Sequence, residues 1–272
     1  MIAVALSGGV DSMAAAILLH DRGERLMGIS MRLQDDLPDQ AHLKRAEELC
    51  RKLGIGYHLI DLSQAFDSIR GYFCESYLAG LTPNPCAVCN RDMKFGLLLE
   101  RARALGADAL ATGHYVRREV FKDRYSLSRA AWKNSQEYFL GLLPQDVLRH
   151  AIFPLSDMSR PAAEDLVRRI GLDVPKQASS QDVCFIRGDY ADFIRDVTGH
   201  RPTPGRIIDM HGRIVGSHRG PCIIRSASER GSGWVSGAAS LCWTWTRERT
   251  PSRSAIDPSG PTMDSSSMTS TS

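Results

Sequence analysis

Ser7-Gly8-Gly9-Val10-Asp11-Ser12, set directly after the apolar run Ile2 to Leu6, decides how this chain is read. The string predicts a strand, a tight glycine turn and then a helix beginning over Met13 to His20. Several backbone N–H groups would converge there, where a helix N-terminus adds positive potential, and that geometry binds phosphate. The residues exclude two other phosphate loops. A GxxxxGK[ST] loop needs a lysine after its second glycine, where Val10 and Asp11 stand here, and a dinucleotide fingerprint needs three spaced glycines rather than two adjacent ones. A plain Ser/Gly turn with a capping Asp is the bland alternative, and the order strand, loop, helix weighs against it.

Outward from this loop, the first 115 residues alternate as an α/β fold does, with an open parallel sheet carrying helices on both faces. Arg25 to Met31 reads as a second strand, Ala41 to Leu53 as an amphipathic helix stopped by Gly54, and Tyr57 to Leu62 as a third strand. Helices are predicted over Gln64 to Leu78 and Arg91 to Leu105. A strand over Ala109 to Thr112 then delivers Gly113-His114-Tyr115 at its carboxyl end, the edge where ligands sit in such sheets. The Ser7 loop and Gly113 are therefore expected to face one crevice.

Beyond Tyr115 the pattern changes. A hairpin is expected over Val116 to Val120 and Arg124 to Ser128, followed by helices at Ser135 to Leu143, Ser159 to Ile170 and Asp189 to Val197. Arg206 to Asp209 and Arg213 to Val215 read as the first hairpin of a β module. The division that follows is a nucleotide-binding domain over 1–130, a small, mostly helical domain over 131–202, a truncated β module over 203–220 and a tail over 221–272.

The 272 residues carry a net charge of +3 and are 43% hydrophobic, enough for a sizeable core and compatible with an RNA partner. No stretch approaches the roughly 20 apolar residues of a membrane span, and Met1 leads straight into the first strand. A cytoplasmic chain with no membrane partner is expected. Its seven cysteines should then be thiols, metal ligands or catalytic groups.

Two segments hold the informative cysteines. In Thr82-Pro83-Asn84-Pro85-Cys86-Ala87-Val88-Cys89-Asn90 the prolines favour extended backbone, and Asn90 is placed to cap a helix just beyond Cys89, a position that lowers a thiol pKa. A lone CxxC also fits a zinc half-site or a redox pair. In Ala178-Ser179-Ser180-Gln181-Asp182-Val183-Cys184-Phe185-Ile186, Cys184 by itself reads as a buried thiol. Cys50 and Cys74 lie in predicted helices and read as core.

Taken together, these motifs carry a resemblance. The SGGVDS loop resembles the pyrophosphate loop of N-type ATP pyrophosphatases, whose fold is adenine nucleotide alpha hydrolase-like. With TPNPxxxCN, Lys94-Phe95, ATGHY at 111 to 115 and the Cys-Phe-Ile, the chain from Ile2 to about Gly220 is similar to the tRNA-specific 2-thiouridylase family. The resemblance implies ATP and magnesium, with Ala5, Leu6, Ser7, Gly8, Gly9, Val10, Asp11, Ser12, Met31 and Gly113 at the nucleotide and Asn84, Pro85 and Cys86 at the target base. It implies Cys184 as a persulfide carrier, Cys89 as its partner and a disulfide between the two after sulfur transfer. The implied partners are tRNA and a sulfur-donor protein, a desulfurase or relay. Rival readings are a pyrophosphate-loop enzyme acting on a small molecule and an inactive RNA- or iron–sulfur-binding remnant.

Three features depart from the family pattern. Cys86 stands where many members have Asp, so Cys86, Cys89 and Cys184 are candidate ligands of a [4Fe–4S] cluster. Lys133-Asn134-Ser135-Gln136 replaces the usual Lys-Asp-Gln-Ser before Tyr138-Phe139-Leu140. After Gly220 the chain turns Ser-rich, holds three of its four Trp and loses periodicity. Codons for the string CIIRSASERGSG from Cys222 to Gly233 can be chosen so that a neighbouring frame spells HHSIGQRTGLG, and a frameshifted, disordered tail in place of a β-barrel is expected. Weak or absent activity would follow.

Overall fold

The computed structural model describes residues 1–33, 41–133, 135–174, 183–186, 188–201, 204–208 and 213–218. Asn134, the Ser-rich run 178–182 before Cys184 and the tail 221–272 lie outside the described residues.

The chain opens with β1 (Ile2–Ala5), α1 (Val10–Asp21), β2 (Leu26–Arg32), α2 (Ala41–Leu53), β3 (Gly56–Asp61) and α3 (Ser63–Leu78). It continues through α4 (Pro85–Cys89), a π-helical stretch (Asn90–Leu98), α5 (Leu99–Ala104) and β4 (Ala109–Ala111). The hairpin β5 (Val116–Phe121) and β6 (Arg124–Arg129) turns at Lys122 and Asp123, both with positive φ, as a two-residue hairpin turn requires. A 3-10 turn (Glu137–Leu140), α6 (Gln145–His150), β7 (Ala151–Ile152) and α7 (Arg160–Arg169) follow, then α8 (Tyr190–Thr198), β8 (Gly205–Ile208) and β9 (Ile214–His218).

The main sheet has the order β3-β2-β1-β4-β7, every pairing parallel, with Ile2 in register with Leu26 on one side and Ala109 on the other. Successive β1 residues point to opposite faces, so Val4 joins a core with Met13, Ile17, Leu49 and Val167 while Ala3 joins one with Phe95, Leu98 and Leu110. Helices α1, α2 and α7 cover the first face, and the π-helical stretch, α5 and α6 the second. The fold is thus the open parallel sheet with helices on both faces that the alternation predicts. β7 was not legible: two residues are too few to show a period.

Met1–Phe73 and Asn84–Cys184 form one compact unit. The boundary expected near 130 falls inside it, because β7 pairs with β4 and α7 packs on α1. The helix expected over Ser135 to Leu143 shrinks to the 3-10 turn. Its polar leading residues bond elsewhere: Ala130 N–H donates to Ser135 Oγ at 2.9 Å and Tyr115 N–H to Gln136 Oε1 at 3.0 Å. A second unit takes Cys74–Pro83 and the chain from Phe185 onward. There Tyr77 meets Tyr190 edge-on at 6.0 Å, Gly199 ends α8 in the left-handed conformation, and β8 pairs antiparallel with β9. Among the described residues no helix is long and apolar enough to cross a membrane.

Candidate active site

The sheet order reverses between β1 and β4, which opens a crevice beyond their carboxyl ends. From β1 the chain crosses to α1 through Ser7, Gly8 and Gly9. Gly8 has φ +68°, and a Cβ there would overlap the carbonyl of His42, so the turn accepts only glycine. Gly9 is the N-cap of α1 and no side chain caps that end, leaving its first-turn amides to a ligand. Ser12 Oγ donates to Gly9 O at 2.9 Å and accepts from Ser7 N at 3.2 Å, while Arg45 Nε holds Gly8 O at 3.0 Å. From below, buried Ser30 donates to Leu6 O at 2.7 Å.

The end of β4 seats directly on this turn. A Cβ on Gly113 would lie 2.5 Å from the carbonyl carbon of Asp11 and 2.6 Å from Ser12 N. Asp11 accepts from the Tyr115 hydroxyl and from Arg160, each at 2.7 Å, and Arg160 also reaches Glu164 at 3.2 Å. Burial raises the Asp11 carboxyl above its ordinary range against the opposing pull of Tyr115 and Arg160. Of the sequence-predicted nucleotide residues, Ser7 to Ser12 and Gly113 meet at this corner. Ala5 ends β1 beneath it, Leu6 and Val10 are buried, and Met31 lies toward the carboxyl end of β2.

The thiol segment is built differently from its prediction. Asn84, not Asn90, is the cap: its Oδ1 accepts from Ala87 N at 3.1 Å, and Pro85 occupies the first turn, where its missing N–H costs nothing. Cys86 therefore sits in the first turn of α4 while Cys89 closes it, with the π-helical stretch running straight on. Cys89 consequently lacks the helix N-terminus expected to acidify it. Burial pushes its thiol up to about 11, Lys94 opposes, and the Cys184 and Cys86 thiols add to the rise. Burial also raises Cys86 and Cys184, and Lys94 again works the other way at both. Solvent still reaches the side chains of Cys86 and Cys184, whereas Pro85 is buried.

His114 joins the two corners. Its ring packs on Phe95 of the π-helical stretch at 6.5 Å and on Phe153 at 6.4 Å, with Nδ1 2.8 Å from Thr112 Oγ1. Burial first, and Lys94 second, hold its pKa well below the ordinary value, so it is a neutral, structural imidazole. Next to Cys89, Asn90 is 2% exposed and donates to Phe139 O at 3.0 Å, and its Oδ1 has no hydrogen-bond partner among the described residues.

The three-thiol cage expected for a cluster is not formed. Among the described residues no group of three His, Cys, Asp or Glu side chains is placed to hold a metal ion. Cys86 and Cys89 lie one turn apart on a helix, and Cys184 comes from a separate segment. A cavity of about 340 Å³ lined by Asp123, Tyr125, Gln145, Asp146, Arg149 and His150 includes none of the motif residues.

The sequence reading quoted Lys94 without a role, took Asn90 for a cap, and missed Arg160 and Arg45. Arg160 had no signal, since its contact with Asp11 spans 149 residues.

Residues 1–188 match the family described as "tRNA methyl transferase HUP domain". The tRNA-specific 2-thiouridylase MnmA of Syntrophotalea carbinolica is 41% identical over 240 residues, covering 85% of this chain and 68% of that protein. The protein of the same name from Moorella thermoacetica is 40% identical over 250 residues, covering 86% and 70%. The U34-tRNA thiolase NcsA of Methanococcus maripaludis, solved with its [4Fe-4S] cluster, aligns at TM-score 0.44 and 20% identity over 73% of this chain and 64% of that one.

Proposed function

Because the chain belongs to the tRNA-specific 2-thiouridylase family, we propose that it uses ATP to replace oxygen 2 of the wobble uridine of tRNA with sulfur. The triphosphate lies on Ser7 to Ser12 and the first-turn amides of α1, walled by Ala5, Leu6, Val10, Met31 and Gly113. Asp11 is the carboxylate at this turn, and a phosphate-bound magnesium ion, which takes one or two carboxylates, would neutralise charge there. Two cations stand at the loop, Arg45 bonded to Gly8 O and Arg160 paired with Asp11.

A uracil carbonyl oxygen is a poor leaving group, and adenylation converts it into AMP with release of pyrophosphate. Sulfur then has to arrive as a nucleophile. A desulfurase or relay protein loads Cys184 as a persulfide, and the Cys89 thiolate attacks the Cys184 sulfur. The bond to the outer sulfur breaks, and that atom, reduced to sulfide, adds to carbon 2 as AMP departs. Cys89 and Cys184 remain as a disulfide, restored by two electrons from an external dithiol. Cys86 is the exposed member of the base-facing trio, while Pro85 is buried and the Asn84 side chain is committed to its cap.

The observation that carries this reading is the backbone step from Gly113 to His114. Gly113 touches the Ser7 to Ser12 turn, and His114 packs on Phe95 of the π-helical stretch that continues the short helix of Cys86 and Cys89. The test is mass analysis of wobble uridine after incubating the protein with ATP, sulfide and tRNA. 2-Thiouridine is expected in low yield, as the altered tail after Gly220 implies, and is lost in C89S when a persulfide donor replaces sulfide. AMP release that ignores tRNA would favour a small-molecule substrate instead.

A further inference from the structure

We propose that Lys94 is the counter-ion of the sulfur-transfer pocket, its ammonium holding the anionic sulfur expelled when Cys89 attacks the Cys184 persulfide. The inference deepens the function proposed above and rests on it. Its first support is helix register. Lys94 follows Cys89 by five residues, and on an α-helix five residues advance about 500°, which would turn the lysine roughly 140° away from the thiol. The chain is π-helical over Asn90–Leu98, and Leu99 N–H bonds to Lys94 O, a five-residue step. Such a turn brings residue i+5 back near residue i. The wider turn therefore puts Lys94 on the side of the helix that carries Cys89.

The second support is the lack of a competing partner. Lys94 is half-buried, and its ammonium makes no hydrogen bond or ion pair with any described residue. The carboxylate two residues away, Asp92, is taken by Arg91 through two bonds of 2.5 and 2.8 Å. The Lys94 charge acts on Cys86, Cys89, Cys184 and His114, opposing the rise that burial imposes on the three thiols. Burial holds the three thiols toward their protonated form and His114 toward its neutral one, so none of the four offers the ammonium a counter-charge until a sulfur becomes anionic. The thiolate of Cys89, the persulfide loaded on Cys184 and the sulfide expelled when the first attacks the second are such anions. A lysine suits this task because its compact charge on a flexible stem can follow the negative charge from one sulfur to the next.

The test compares two alkylating reagents on the full chain and on K94M and K94R, with modified cysteines located by peptide mass. Iodoacetate is anionic and iodoacetamide neutral, yet both attack the thiolate, so the ratio of their rates cancels the ionised fraction and reads local charge. K94M is expected to lower that ratio about fivefold at Cys89 and Cys184, and K94R to keep it within about twofold of the unaltered chain. Sulfide release from polysulfide-loaded protein should slow in K94M and recover in K94R. An unchanged ratio in K94M overturns the proposal, as does an equal fall in K94R. Because the ratio needs neither ATP nor tRNA, failure to thiolate uridine with the ratio shift intact would overturn the proposed reaction and leave the counter-ion standing.

Discussion

The nucleotide corner and the thiol corner adjoin at Gly113-His114 and are built on opposite principles. At the first, charged and polar groups already have partners: Ser7 with Ser12, Arg45 with Gly8, Asp11 with both Tyr115 and Arg160. At the second, burial pushes three thiols toward their protonated form, and among the described residues Asn90 Oδ1 has no hydrogen-bond partner and the Lys94 ammonium no anion. In the proposed reaction a phosphate arrives already charged, so its cradle can be finished in advance. Sulfide charge would exist only during transfer, and groups poised for it must stay unspent at rest.

The first corner is broken most severely through backbone. In G8A a methyl group must enter the space of the His42 carbonyl at a left-handed φ, and the two penalties together cost about 2–4 kcal/mol. ATP binding, measured by calorimetry, should vanish. Gly54 shares the left-handed φ at +65° but has nothing within 4 Å of its would-be Cβ. G54A should therefore cost only about 1–2 kcal/mol and leave nucleotide affinity intact.

The thiol corner answers to pH. A group whose folded pKa is raised stays protonated to higher pH, so Cys89, pushed up to about 11 from 9.0, should be alkylated about a hundredfold more slowly than a free thiol at pH 8. Its rate should climb about tenfold per pH unit up to that value. A plateau near pH 7 would erase the contrast between the corners, because it would mean that the thiolate is already stabilised at rest.

A smaller effect tests the span between them. R160A strips Asp11 of one of its two partners in a half-exposed pair, and should lower stability by roughly 1 kcal/mol, a fall of about 2–4 °C in melting temperature.

The two corners also differ in how much of them the sequence disclosed. Gly8 and Gly113 were readable because strand, turn and helix must follow in that order and only glycine tolerates such approach. The strands β1 to β4 announced themselves by alternating with helices. The thiol corner hid for two reasons. Asn84 and Asn90 are equally good caps on paper, and only the docking of Asn90 onto Phe139 O decided which one begins the helix. A π-helical step leaves no periodic trace in nine residues, so Lys94 counted by α-helical spacing falls on the wrong face. Arg160 and β7 are tertiary facts, made by pairing segments far apart in the chain.

The mildest perturbation bears on the cap itself. Asn84 Oδ1 satisfies one orphan N–H of α4 and so fixes where Cys86 and Cys89 stand on the helix. N84A should cost about 1 kcal/mol, and N84D, which retains the accepting oxygen, should restore it. Alkylation separates a stability effect from a positional one. If the cap sets the thiols' place, Cys89 in N84A reacts faster at pH 8 as the first turn frays and solvent reaches it, while N84D keeps the slow rate. Equal rates in all three chains would mean that the π-helical stretch, anchored by Asn90 on Phe139, holds Cys89 without help from the cap, and the thiol corner would then be as finished at rest as the nucleotide corner.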